Sequence, residues 1–228
     1  MKWEMNLINF LKRAVIFIGL ILFIFAVQIP VQLIGIKNYH GIKAFLWGAF
    51  YLALFLVIIG LAFWAYRSVY RQHSHKITFH DLKIILMAIL SFFIIEIVLQ
   101  FFNKLIFNQV GTKNNNAILS LFQSNTTVLV LMSISAVFLS PVLEELVFRG
   151  FFINAFFNQN AFWLPIVFSG LLFSCGHMSS NVISFMIYAI LGMILAYVYK
   201  KTGKIEVSIG VHFLNNLIAT GFMLLAVL

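Results

Sequence analysis

The chain has 228 residues, 63% hydrophobic and only 9% charged, with a mean hydropathy of +1.04. A soluble domain is nearer half apolar and a quarter charged, so this composition excludes an ordinary water-soluble globule and predicts a polytopic membrane protein. The net charge of +9 does not point to nucleic acid, because the basic residues sit at the ends of apolar segments, where membrane topology explains them.

About 20 apolar residues span a bilayer as a helix. Residues 1–13 read as a short amphipathic start carrying Lys2, Lys12 and Arg13. Residues 14–36 are the first expected span, with Pro30 placed to kink or end it. A cleaved signal peptide is the competing reading of this segment, but its apolar run is too long and no small-x-small site follows it. Residues 44–66 are a second span. Residues 67–83 are polar and rich in Arg, Lys and His. Residues 84–102 form a third span that contains Glu96. Residues 103–117 are a polar loop and 118–124 a short interfacial helix. Residues 127–157 are one long helical segment, 161–178 and 182–199 a hairpin of two spans, 200–204 a basic loop, and 207–228 the last span. The expected fold is all-α, a transmembrane helical bundle of about seven spans. It is one integral-membrane domain, divided into N-terminal spans and loops (1–126) and a core (127–228). With the N-terminus inside, ten Lys and Arg fall on inner segments and four on outer ones, so the positive-inside rule predicts the N-terminus in. The single cysteine, Cys175, rules out an internal disulfide.

The exceptions to this charge pattern carry the chemistry. Of six acids, Glu96, Glu144 and Glu145 lie inside apolar spans, and so does Arg149. Intramembrane ionisable groups face a protein interior or a polar cavity and are functional candidates by default. Residues four apart share a helix face, so Glu145 pairs with Arg149, while Glu144 is turned about 100° away and has no partner on its own helix. An unpaired carboxylate in an apolar setting suits a general base. His212 and Asn216 share a face and could hold an anionic oxygen or act as interhelical glue. Phe173 and His177 have the same spacing, an aromatic ring flanking an imidazole that by itself reads as interfacial. Glu96 with Gln100 reads as cavity lining. Cys175 points away from His177, and Ser140 and Ser174 read as small packing residues.

Glu144-Glu145-x-x-x-Arg149-Gly150, then Phe173-x-x-x-His177, then His212-x-x-x-Asn216 resemble, in order and spacing, the three signature motifs of the CPBP family. These are the CAAX-protease and bacteriocin-processing membrane proteins, also called Abi proteins. The resemblance runs from about residue 127 to the C-terminus. It implies an intramembrane glutamate-type endopeptidase in which Glu144 and His177 activate a water, His212 and Asn216 stabilise the oxyanion, and Glu145 and Arg149 support the site. It implies no cofactor and no catalytic metal. The expected partners are a peptide or lipidated protein substrate in the membrane and the lipid bilayer, not nucleic acid. The Asn-, Lys-, Phe- and Ile-rich composition suggests a bacterial plasma membrane, where processing of a bacteriocin or signalling peptide, or self-immunity, is the expected role. Three alternatives stand beside this reading: a non-catalytic immunity or scaffold protein of the same family, a zinc-dependent membrane protease, and a transporter. The absence of paired repeats weighs against the transporter. One tension remains in the spacing. At about 1.5 Å per residue, Glu144 lies some 20 Å and His177 about 24 Å from the inner helix ends, while His212 lies only about 8 Å in.

Overall fold

The computed structural model describes residues 6–70 and 76–227, and among these the chain is helical, with no strand. Lys2, Glu4, Arg71, His73 and His75, which entered the charge counts and the reading of residues 67–83 as rich in Arg, Lys and His, lie outside the described residues. Nine helical segments follow one another. They are α1 (Leu7–Ala26), α2 (Ile29–Ile36), α3 (Gly41–Val69), α4 (Phe79–Phe107), α5 (Lys113–Phe122), α6 (Thr126–Phe156), α7 (Trp163–Cys175), α8 (Val182–Thr202) and α9 (Ile205–Val227). Six stretches are long and apolar enough to cross a membrane: α1 with α2, then α3, α4, α6, α8 and α9. The protein is an integral membrane protein built as a polytopic helical bundle.

Local chemistry sets the helix boundaries. Pro30 sits in the first turn of α2, and α1 breaks three residues before it, because proline lacks the N–H that would continue the ladder. Thr78 and Asp81 form a reciprocal capping box that starts α4, and Asn181 with Ser184 does the same for α8. Gly203, at φ +69°, ends α8 in the left-handed conformation that favours glycine.

The expected span at 161–178 is shorter than its apolar run implied. The helix there, α7, has 13 residues, about 20 Å at 1.5 Å per residue, which is less than the hydrocarbon thickness. It ends at Cys175 because residues 176–181 turn the chain into α8. The two helices then pack closely enough that a Cβ on Gly192 would lie 2.8 Å from the Cα of Gly170. Small residues allow such an approach between membrane helices.

Helix α6 is not a plain α-helix. Ser135–Leu139 and Leu146–Phe151 are π-helical and flank the α-turns Ser140–Glu145. The Ser140 N–H reaches back five residues to the carbonyl of Ser135, and Pro141 offers no N–H to the carbonyl of Ala136. That carbonyl accepts instead from Asn216 Nδ2 at 2.8 Å. Tyr51 of α3 is buried against the first π segment and donates to Ser135 Oγ at 2.6 Å. At the opposite end of the bundle, Lys204 Nζ lies 2.6 Å from Asp81 Oδ2 and donates to the carbonyl of Lys76. Next to this clasp, at the start of α9, Ile205, Val207 and Ser208 are buried.

Candidate active site

The two glutamates of α6 have different surroundings. Glu145 is fully buried, and three groups donate to it. Arg149 Nη1 lies 2.8 Å from Oε1, His212 Nδ1 lies 2.9 Å from Oε1, and the Ser208 hydroxyl lies 2.6 Å from Oε2. Arg149 is fully buried too. Its other terminal nitrogen donates to the carbonyl of Gly192 at 2.8 Å, and its guanidinium lies 4.6 Å from the ring centre of Phe173. The pair expected from i,i+4 spacing is present, and it is also the hub that ties α6 to α8 and α9.

Glu144 lacks such a shell. Its Oε2 is buried and has no hydrogen-bond partner among the described residues, and the nearest cationic or imidazole group is His212 Nε2 at 3.9 Å. His212 therefore sits between the two carboxylates, one ring nitrogen toward each.

His177 is held by a different device. Its Nδ1 lies 2.9 Å from the carbonyl of Phe173, so Nδ1 carries the proton and donates, and Nε2 keeps its lone pair. The imidazole is sandwiched between the Phe173 ring at 4.5 Å and the Tyr188 ring at 4.4 Å, the latter inclined by only 18°. Tyr188 is itself fixed through its hydroxyl, 2.6 Å from Thr112 Oγ1 and 3.0 Å from Asn115 Oδ1. The main chain next to His177 is pinned as well, since the Asn114 N–H donates to the carbonyl of Met178.

Glu144, His177, His212 and Asn216 all line one cavity of about 700 Å³, within the size range of small-molecule and peptide sites. Its wall draws on both sides of residue 126, because α1, α4 and α5 contribute Phe17, Glu96 and Asn114 alongside the motif residues. Residues that counting along straight helices placed at different depths thus meet in one cavity. Glu144 and His177 face the same cavity but form no ion pair within 4 Å. The direct carboxylate–imidazole contacts are those of His212.

Asn216 uses one N–H on Ala136; a carboxamide has a second. Among the described residues, no group of three or more His, Cys, Asp or Glu side chains is arranged to hold a metal ion. Sequence reasoning passed over Ser208 and Tyr188. Ser208 was findable, since 208, 212 and 216 recur at intervals of four on one face. Nothing in the local pattern of α8 marks Tyr188 as the partner of an imidazole eleven residues earlier.

A family model described as type II CAAX prenyl endopeptidase Rce1-like matches residues 126–218. "Putative membrane peptidase YdiL" of Bacillus subtilis is 27% identical, over 46% of this chain and 41% of that protein. Protein YyaK of the same organism, described as uncharacterized, is 31% identical, over 46% of this chain and 38% of its own length. The matched region thus spans about two fifths of the length of these curated relatives. No solved structure matches the chain.

Proposed function

We propose that this protein, whose residues 126–218 match the Rce1-like family model and carry the CPBP motifs, is a glutamate-type intramembrane endopeptidase of a bacterial plasma membrane. One observation carries the reading. A carboxylate without a hydrogen-bonded partner, two imidazoles and a carboxamide, drawn from three separate helical regions, converge on one cavity in an otherwise apolar bundle.

In this reading a water molecule in the cavity is polarised by Glu144 and by the free Nε2 of His177. Glu144 takes its proton as the oxygen attacks the carbonyl carbon of the scissile amide. Charge moves to the carbonyl oxygen, where the spare N–H of Asn216 and Nε2 of His212 meet it in a site shielded from water. Because Nδ1–H of His212 is already committed to Glu145, a donating Nε2 requires the imidazolium form. Its charge is then matched by Glu145 and Glu144, as that of Arg149 is. The proton held by Glu144 passes to the leaving nitrogen, the C–N bond breaks, and an acid and an amine depart. No covalent acyl-enzyme forms. The substrate is a membrane-embedded peptide or lipidated protein, and maturation of, or immunity to, a bacteriocin or signalling peptide is the role this activity serves.

The test is cleavage of an apolar, internally quenched peptide by purified protein in lipid nanodiscs. Glu144→Gln lowers the rate by about 10²–10⁴. A Glu144→Gln protein that cleaves within a few-fold of wild type overturns the assignment.

A further inference from the structure

Glu96 is the intramembrane acid that the proposed reaction leaves unused. It lies in the interior of α4, seventeen residues from that helix's start at Phe79. There a charge costs about 2.5–3.5 kcal/mol even on the mildest insertion scale. Its place is on the wall of the same cavity that holds Glu144, His177 and His212. No Lys, Arg or His lies within ion-pair distance of it among the described residues. One turn further on, Gln100 carries a buried carbonyl oxygen that no donor reaches. The rest of the wall sharpens the point. Among the residues lining the cavity there are two carboxylates, the imidazoles of His177 and His212, several carboxamides and hydroxyls, and neither a lysine nor an arginine. Arg149, the guanidinium of the first motif, is fully buried and engaged by Glu145 and the Gly192 carbonyl.

We propose that Glu96 forms a subsite for a cationic side chain, so that the substrate is a peptide carrying a lysine or arginine within an apolar segment. This rests on the endopeptidase reading above and names the substrate class for that site. Electrostatic complementarity is the argument. Apart from His212, whose imidazolium charge Glu145 and Glu144 already match, the cavity holds no cation, so it accepts a ligand cation that neutralises Glu96 and offers no free counter-charge to a ligand anion. The same wall disfavours a free C-terminal carboxylate deep in the cavity. A substrate cut a few residues from its own C-terminus, as a CAAX box is, brings such a carboxylate with it. An internal bond flanked by a basic residue does not. The apolar side chains of Phe17, Ile21, Phe25 and Met223 around the cavity take the remainder of such a segment.

The experiment uses the full chain in phosphatidylcholine nanodiscs and fluorescein-labelled, leucine- and alanine-rich peptides with amidated C-termini. One residue is walked along the peptide as lysine, as norleucine or as glutamate. Binding is read by anisotropy, and cleavage separately by mass spectrometry. At the matching position the lysine peptide binds wild type about tenfold tighter than its norleucine counterpart. In Glu96→Gln that ratio falls to about one, and in Glu96→Lys the glutamate peptide becomes the preferred ligand. Because each ratio is taken within one preparation, a variant that folds in part still reports it. A ratio of one in wild type at every position, or a ratio that survives Glu96→Gln, overturns the subsite. Charge-dependent binding without cleavage supports the subsite and sinks the protease reading; cleavage without charge preference does the reverse.

Discussion

Replacing Arg149 by methionine keeps most of the side-chain volume and removes the cation. In the folded protein Arg149 and Glu145 are both fully buried, so solvent screens neither. The substitution strips Glu145 of its Nη1 donor, leaves the Gly192 carbonyl without its partner, and removes the cation from the face of Phe173. Glu145 keeps His212 Nδ1 and Ser208 as donors, but loses the guanidinium held against it in the protein interior. Breaking one member of a buried pair costs about 3–5 kcal/mol. On the size scaling of thermal unfolding this corresponds to a fall of about 6–20 °C in melting temperature, measurable by intrinsic fluorescence in detergent. The double variant Glu145→Gln, Arg149→Met removes both charges and recovers much of that loss, so the cycle shows a coupling well above that of unconnected sites. If Arg149→Met melts within about 1 kcal/mol of wild type, or the two substitutions are additive, the view of Glu145 as a charge hub is wrong.

Further predictions concern the imidazole, the helix contact and the metal question. Tyr188→Leu removes the ring stacked on His177 and the hydrogen bonds to Thr112 and Asn115; kcat for peptide cleavage falls about tenfold or more while KM changes little, and Tyr188→Phe, which keeps the ring, recovers most of the loss. Gly192→Ala places a Cβ 2.8 Å from the Cα of Gly170 and 3.0 Å from the Cβ of Phe173, so backbone must move and stability drops by about 1–3 kcal/mol. Gly60→Ala, at a helical position with nothing within 4 Å of the added Cβ, instead raises the melting temperature, by up to about 1 kcal/mol of stability. Treatment with a zinc chelator leaves cleavage intact; complete loss that added zinc restores would transfer the reaction to a metal.

Much of this molecule is legible in its sequence. Apolar runs and charge placement gave the spans, because the bilayer fixes how long an apolar helix must be. The i,i+4 rule gave Glu145–Arg149 and separated Glu144 from it, because side chains one turn apart must meet. Contacts that depend on how helices cross were not legible. That His212 lies between both glutamates depends on how α9 packs against α6, across 67 residues of sequence from Glu145. The length of α7 was overestimated because hydropathy counts apolar residues whether or not the chain has begun to turn at Gly176. The π segments were also hidden. Pro141 announces a missing N–H, but only the packing of α9 shows that Asn216 takes up the carbonyl left over.

The flank of the cavity has a consequence for how the proposed protease is assayed. Ile18, Leu22 and Phe25 line it, yet each is more than half exposed on the apolar flank of α1. In a bilayer that flank faces acyl chains rather than bulk water. A substrate arriving there diffuses in two dimensions, and the concentration that governs its encounter is the number of substrate molecules per lipid, not per litre. Adding empty lipid to a fused preparation at constant volume then slows cleavage, while diluting the same vesicles with buffer leaves the rate per enzyme unchanged.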